Sequence, residues 1–220
     1  MPNFQDNHKI ISHFPNVAYN VVAIAASRGG LKAIGKILSA LPVDFPAAIV
    51  VVQHLSSKYP SYTAQILAPH TLLRVKQAEE GELLRPRTVY TAVPDKHLVV
   101  KPDATLSLTD EPKVNFVRPA GDKLFVSVAT SFKSRAIAIV LTGKDGDGTL
   151  GVLAIKKYGG TVIVQDRESS EYFNMPKSAI DTGKVDWVLP VDAIANYLVK
   201  EIMTRKVVEQ IQQFSLQLVK

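Results

Sequence analysis

The chain has 220 residues, of which 46% are hydrophobic, which is enough for one ordinary domain with short extensions. It contains no cysteine, which excludes disulfide bonds, thiolate catalysis and metal sites with cysteine ligands. The net charge of +6 favours an anionic partner. The basic residues are scattered and match no nucleic-acid-binding module, so the expected partner is an acidic protein and not a nucleic acid.

No segment of the sequence resembles a membrane span or an export signal. The longest apolar run, AAIVVV at 47–52, is far too short to cross a bilayer. Residues 1–20 are mixed polar and contain no apolar stretch of the kind that signal peptides carry. The sequence therefore predicts a cytoplasmic protein that does not insert into membranes.

Apolar runs alternate with segments of helical period along most of the chain. The runs 19–27 and 47–54 predict buried strands, and the apolar stripe within 29–41 predicts a helix between them. A short helix is predicted at 60–68, where a proline stands at its start. In the middle of the chain, short segments separated by Gly, Pro and Asp predict an antiparallel meander over 88–110.

The second half of the chain continues this alternation. It predicts helices at 122–132, 149–160, 176–183 and 191–203, and strands at 136–143, 161–166 and 185–190. Buried strands joined by crossover helices form parallel sheets that are covered on both faces. The sequence therefore predicts an α/β fold, with a doubly wound, mainly parallel sheet, helices on both faces and an antiparallel edge extension.

Three of the predicted strands end in polar residues that suit a hydrolytic site. Ser27 follows the first strand, His54 ends the second, and the loop TGKDGDG at 142–148 follows the third. Because the carboxyl ends of parallel strands line one edge of a sheet, these residues are expected to meet there. A serine becomes a nucleophile when a histidine accepts its proton and a carboxylate orients that histidine.

Each of these residues also has a purely structural interpretation. Serine is a favoured helix N-cap, a histidine can end a strand without any catalytic role, and Asp145 and Asp147 are ordinary turn residues beside glycine. The spacing alone leaves both interpretations open. The segment AASRGG lacks the glycine spacing of a dinucleotide site, and DGDGTL lacks the glycine that a calcium loop needs. No cofactor or metal is therefore expected.

Six short motifs, which include those strand ends, stand in order along the chain. They are AASRGG (25–30), VVQH (51–54), AVPDKH (92–97), VRPA (117–120), VLTGKDGDG (140–148) and FNMPKSAI (173–180). Together they resemble the catalytic domain of the bacterial chemotaxis protein-glutamate methylesterases, the CheB family. The resemblance implies a doubly wound α/β fold and hydrolysis of glutamyl methyl esters on the cytoplasmic helices of chemoreceptors. It also implies that receptor glutamines are often deamidated.

By position, the resemblance assigns Ser27 as the nucleophile, His54 as the base and Asp147 as the carboxylate of a catalytic triad. The implied mechanism is an acyl transfer in which Ser27 attacks the ester carbonyl, methanol leaves, and water hydrolyses the acyl-enzyme. Asp145 stands where the family usually has a glycine, so we assign it no catalytic role.

The oxyanion of the tetrahedral intermediate needs preorganised hydrogen-bond donors. The backbone N–H of Arg28, at a helix N-terminus, is expected to be one donor, and the resemblance implies that the Lys144 N–H is the other. Gly29 and Gly30 are expected to let the substrate approach the turn closely. The family usually has a small hydroxyl residue in place of Arg28 and a methionine in place of Lys144. These two basic side chains either favour an acidic substrate or are simply exposed.

The expected organisation is an N-terminal extension (1–19), a methylesterase-like domain (20–203) and a C-terminal helical extension (204–220). Members of the family usually carry a receiver domain before the catalytic domain. Only about twenty residues precede the first strand here, so no built-in receiver domain is expected. The leading hypothesis is a stand-alone methylesterase. The alternatives are a non-catalytic module that docks on a signalling partner, and a hydrolase of another carboxylic ester or amide.

Overall fold

A computed structural model describes residues 17–54 and 59–218, with side chains described up to residue 204. Helices and strands alternate along it. The strands are β1 (Asn20–Ala26), β2 (Ala47–Gln53), β3 (Arg74–Gln77), β4 (Thr88–Thr91), β5 (His97–Val100), β6 (Leu106–Thr109), β7 (Ala136–Val140), β8 (Thr161–Gln165) and β9 (Trp187–Leu189). The helices are α1 (Gly30–Ser39), α2 (Thr63–Leu67), α3 (Gly121–Phe132), α4 (Thr149–Lys157), α5 (Asn174–Asp181) and α6 (Val191–Leu218).

Seven strands form one sheet in which all neighbours run parallel. The order across the sheet is β3-β4-β2-β1-β7-β8-β9. The strand order reverses between β1 and β7, because the chain builds outward from β1 to one side and later from β7 to the other. Open α/β sheets bind their ligands beyond the carboxyl ends of the strands at such a reversal. The predicted doubly wound parallel fold is confirmed.

The central strands are buried on both faces of the sheet, which explains their continuous apolar sequences. Every residue of β1 and of β2 is buried. Along β1, alternate side chains enter two separate cores. Ala23 and Ala25 belong to the core that contains α3 and α4, whereas Val22 and Ile24 belong to the core that contains α1 and α6. The strand ends are thereby held in a rigid layer.

The middle of the chain differs from the prediction. The strand β4 runs parallel to β2 and β3 inside the main sheet. Only β5 and β6 pair antiparallel, and they form a separate two-stranded sheet. This small sheet is attached to α3, where the Ser127 hydroxyl accepts a hydrogen bond from the Val100 N–H at 3.0 Å. The predicted meander over 88–110 is therefore wrong for β4, because a four-residue strand carries no local sign of the strand it pairs with.

The two predicted extensions lie partly outside the described residues. Of the N-terminal extension 1–19, only residues 17–19 are described. At the other end, α6 continues without interruption to Leu218. Side chains are described only up to residue 204, so the packing of the predicted C-terminal extension lies outside the described residues. None of the helices in the described part of the chain is both long and apolar enough to span a bilayer.

The packing of β4 against the segment that precedes it can be tested at Tyr90, whose side chain is fully buried. Its hydroxyl accepts a hydrogen bond from the Arg85 N–H at 3.0 Å and donates one to the Leu83 carbonyl at 3.2 Å. The substitution Tyr90→Phe leaves both backbone groups unpaired, so we expect it to lower the free energy of unfolding by about 1–3 kcal/mol. Urea denaturation measures this change.

The matched control is Tyr62→Phe, since Tyr62 is an exposed tyrosine. We expect this substitution to change the free energy of unfolding by less than about 0.5 kcal/mol. Equal effects of the two substitutions would contradict the burial of Tyr90 beneath the segment that precedes β4.

Candidate active site

Ser27 lies at the carboxyl end of β1, in the turn that leads into α1. Its N–H donates to the Thr142 carbonyl at 3.0 Å, and its own carbonyl accepts from Gln53 Nε2 at 2.7 Å. The N-cap of α1 is Gly29, and no side chain caps that helix. The interpretation of Ser27 as an N-cap is therefore wrong. The half-buried hydroxyl of Ser27 forms no hydrogen bond with any residue that the structure describes.

His54 follows β2 and stands beside the end of β1. Its backbone N–H donates to the Ala26 carbonyl at 3.0 Å, which ties the two strand ends together. Both ring nitrogens contact carboxylates. Nε2 lies 2.7 Å from Asp147 Oδ2, and Nδ1 lies 3.0 Å from Asp145 Oδ2. The imidazole is therefore held between two acidic side chains of the loop after β7.

Asp147 is the most enclosed member of this cluster, with a side chain that is fully buried. Its Oδ1 accepts hydrogen bonds from the N–H groups of Asp122 at 3.0 Å and Gly148 at 2.9 Å. Its Oδ2 accepts from the Gly121 N–H. Gly121 and Asp122 open α3, so the positive end of a helix stabilises the carboxylate. Sequence reasoning missed this role of α3.

Gly121 is required at this helix N-terminus because the sheet and the carboxylate are so close. A Cβ atom on this residue would lie 2.6 Å from Ala25 Cβ and 3.1 Å from Asp147 Oδ2. Any side chain would push α3 away from the strand and break the hydrogen bond to Asp147. In the sequence, Gly121 is distinguished only by its position directly after the VRPA motif. That position alone does not predict the close contact with Asp147.

Asp145, to which the sequence assigned no role, contacts His54 as directly as Asp147 does. Its other oxygen, Oδ1, accepts a hydrogen bond from the Asp147 N–H at 3.1 Å, which closes a short Asx turn inside the loop. About one third of its side-chain surface is exposed. The DGD spacing carried a signal here, since two carboxylates so close in a tight loop both face the same strand end.

The two carboxylates control the protonation of the histidine. Burial by itself lowers the pKa of His54, but the hydrogen bonds to Asp145 and Asp147 and their negative charges outweigh it and raise the pKa to about 9. In return, although burial opposes it, the contact with His54 lowers the pKa of Asp145. At neutral pH the resting site therefore holds an imidazolium ion between carboxylates.

The predicted oxyanion donors lie at the edges of the same site. Arg28 has an exposed side chain, and its carbonyl accepts a hydrogen bond from Thr142 Oγ1 at 2.9 Å. The Lys144 ammonium group lies 4.5 Å from the centre of the Tyr172 ring. Neither the Arg28 N–H nor the Lys144 N–H has an acceptor among the residues that the structure describes.

The glycines of the AASRGG motif serve the turn itself. Gly29 has a φ of 77°, in the left-handed region. Gly30 is buried, and a Cβ atom there would lie 2.2 Å from Gln53 Oε1. Gly143 brings the third strand end close to the first, since its Cβ position lies 2.9 Å from Ser27 Cβ. The expectation that Gly29 and Gly30 admit substrate stays a prediction.

The structure thus joins His54, Asp145 and Asp147 in one hydrogen-bonded cluster and positions Ser27 at the adjacent strand end. Both ring nitrogens of His54 have carboxylate partners, and Ser27 forms no hydrogen bond with this cluster. In the described part of the chain, no group of three or more acidic or histidine side chains is arranged to hold a metal ion.

Comparison with known proteins identifies the family. The CheB methylesterase family model matches residues 22–198, and the chain belongs to that family. The chain is 45% identical over 175 residues to the protein-glutamate methylesterase/protein-glutamine glutaminase of group 3 operon from Rhizobium meliloti, which covers 80% of this chain and 49% of the relative. It is 41% identical over 189 residues to a protein-glutamate methylesterase/protein-glutamine glutaminase from Thermotoga maritima, covering 84% and 55%.

The fold matches a solved structure of the same family. The crystal structure of the Thermotoga maritima CheB methylesterase catalytic domain superposes with a TM-score of 0.80 and 41% sequence identity. The match covers 82% of this chain and 97% of that domain. The chain spans about half the length of the first two relatives. The shared region therefore corresponds to a catalytic domain.

Asp122 provides a pH test of this buried carboxylate cluster. Burial and, to a smaller extent, the charge of Asp147 raise its pKa from the ordinary 3.8 to about 6. Between these values the folded state keeps a proton that the unfolded state has lost, so this contribution to stability declines as the pH rises. We expect the free energy of unfolding of Asp122→Asn, relative to that of the wild type, to rise by up to about 3 kcal/mol between pH 4 and pH 7.

Urea denaturation at several pH values measures this difference between the two proteins. The control is Asp181→Asn, which removes an exposed carboxylate from α5. A constant offset between wild type and Asp122→Asn across this pH range would show that Asp122 does not titrate as described.

Proposed function

We propose that this protein is a protein-glutamate methylesterase that hydrolyses glutamyl methyl esters on the cytoplasmic helices of chemoreceptors. Membership of the CheB methylesterase family and the names of the relatives support this function. The observation that carries it is the contact between His54 and the buried Asp147, formed next to Ser27 at the switch point of the sheet. The relatives are also named glutaminases, and we include deamidation of receptor glutamines in the proposal.

In the proposed reaction, Ser27 is the nucleophile and His54 the general base. Asp147 holds Nε2, so Nδ1 is the ring nitrogen that takes the proton from Ser27 Oγ. The serine oxygen bonds to the ester carbonyl carbon, and the tetrahedral intermediate collapses as His54 protonates the leaving methoxide. Methanol departs and leaves an acyl-enzyme. Water, deprotonated by His54, then releases glutamate and restores Ser27.

Asp147 has the role of fixing the ring of His54 and stabilising its charged form. Three backbone N–H groups hold its carboxylate in place, so little reorganisation is needed when the imidazolium forms. A glutamine substrate follows the same path with ammonia as the leaving group. One site can therefore serve both activities.

The developing oxyanion would be bound by the N–H groups of Arg28 and Lys144. Their lack of acceptors among the described residues supports this assignment. A donor of this kind contributes about 2.7–4 kcal/mol to transition-state stabilisation. The positive charges of the same two residues suit an acidic receptor surface. Of the two side chains, Arg28 is the freer to contact substrate, because Lys144 stacks on Tyr172.

The assignment of Ser27 is tested by Ser27→Ala, with methanol release from methylated receptor as the measurement. We expect release to fall at least about 10³-fold, because no other nucleophile replaces the serine oxygen. The control is Ser39→Ala, which removes a serine hydroxyl bonded only to the Lys36 carbonyl at the end of α1. Unchanged turnover in Ser27→Ala would rule out Ser27 as the nucleophile.

One observation favours a second candidate, a non-catalytic module that docks on a signalling partner. In the resting site both nitrogens of His54 are occupied and Ser27 is not activated. Wild-type protein that binds receptor yet releases no methanol and resists a fluorophosphonate probe would support this candidate. If the probe labels Ser27 but methylated receptor is not hydrolysed, the substrate is instead another carboxylic ester or amide.

A further inference from the structure

The contact between Asp145 and His54 conflicts with the chemistry expected of the histidine. A general base needs a ring nitrogen with a free lone pair that faces the nucleophile. Asp147 already engages Nε2, and Asp145 Oδ2 lies 3.0 Å from Nδ1, the only remaining nitrogen. While this contact persists, Ser27 has no acceptor for its proton.

We propose that Asp145 is a positioning residue that restrains the site, because it competes with Ser27 for His54 Nδ1 and must release the ring before Ser27 is activated. This inference rests on the proposed function, since it concerns the same serine and histidine. The restraint is expected in this chain and not in the same loop of other family members, because Asp145 stands where the CheB family usually has a glycine.

The two carboxylates differ in how easily they can release the ring. The Asp147 side chain is fully buried and accepts three backbone hydrogen bonds, so its position is fixed. The Asp145 side chain is 33% exposed and accepts one backbone hydrogen bond, from the Asp147 N–H. Asp145 can therefore rotate toward solvent while Asp147 stays in place.

The charges around the ring keep it protonated while Asp145 is in place. Asp145 and Asp147 face it from the loop after β7, and Asp122 stands behind Asp147 at the start of α3. The basic residues of the rim are Arg28 and Lys144. With its pKa raised to about 9, His54 is mostly protonated at pH 7. Rotation of Asp145 removes one negative neighbour and frees Nδ1 at the same time.

The first experiment follows the protonation of His54 by NMR of the imidazole groups. The chain has five histidines, and His54→Gln assigns the relevant resonance by its loss. Asp145→Asn keeps an oxygen for the Asp147 N–H but removes the charge. We expect this substitution to lower the pKa of His54 by about 1–3, because loss of one nearby opposite charge has that effect.

The matched control is Asp103→Asn. Like Asp145, Asp103 accepts a hydrogen bond from the backbone N–H two residues further along the chain, which is that of Thr105 at 3.0 Å. Asp103, however, lies in the turn between β5 and β6. We expect it to leave the His54 titration unchanged. The second variant is Asp145→Ala, which removes the carboxylate entirely and leaves no polar side-chain atom at this position to contact Nδ1.

The second experiment measures methanol release and fluorophosphonate labelling of Ser27 from pH 6 to pH 10. At pH 7 we expect both Asp145 variants to raise kcat, and with it kcat/KM, at least about tenfold, with KM nearly unchanged, because the neutral fraction of His54 rises. Above pH 9 the rates of the wild type and Asp145→Asn should converge. A role of Asp145 in loop structure alone would lower the rate at every pH.

The outcomes separate this inference from the proposed function. If methanol release occurs but the Asp145 variants are no faster at pH 7, or the His54 titration is unchanged in Asp145→Asn, the restraint is overturned and the esterase stands. If no methanol is released but labelling of Ser27 accelerates in the variants, the restraint stands and the substrate is wrong. If Ser27 is labelled in none of the proteins, both are overturned.

Discussion

The interaction on which the site depends is the burial of the Asp147 carboxylate against the N-terminus of α3. An ionised carboxylate is costly to remove from water unless fixed donors replace its hydration. The N–H groups of Gly121, Asp122 and Gly148 supply those donors, and the helix dipole adds to them. The packing of α3 on β1 is thus a condition for the charge that orients His54.

The second carboxylate gives this site a balance that a simple triad does not have. Two negative groups stabilise the protonated histidine strongly, and this favours a well-ordered resting site. In the proposed reaction the same stabilisation would oppose the transfer of a proton from Ser27, so the stability of the cluster and the proposed reactivity of the serine are in conflict. Functional sites commonly carry such conflicts, and local sequence rules do not anticipate them.

Much of the fold followed from local pattern. Continuous apolar runs separated by helix-period segments predicted the parallel sheet, and strands that end in polar residues predicted a site at one edge of it. The pattern failed for β4, whose four residues TVYT look alike in a meander and in a parallel sheet. Pairing is decided by the strands on either side, and these are distant in the sequence.

For the site, the sequence by itself determined that Ser27, His54 and the loop around Asp147 lie at one edge of the sheet, because parallel strands share their carboxyl ends. Only the tertiary structure decided that Asp145 also reaches the histidine and that α3 supports Asp147. The direction of a loop side chain and the meeting of a helix with a distant loop arise from packing, which no short stretch of sequence encodes.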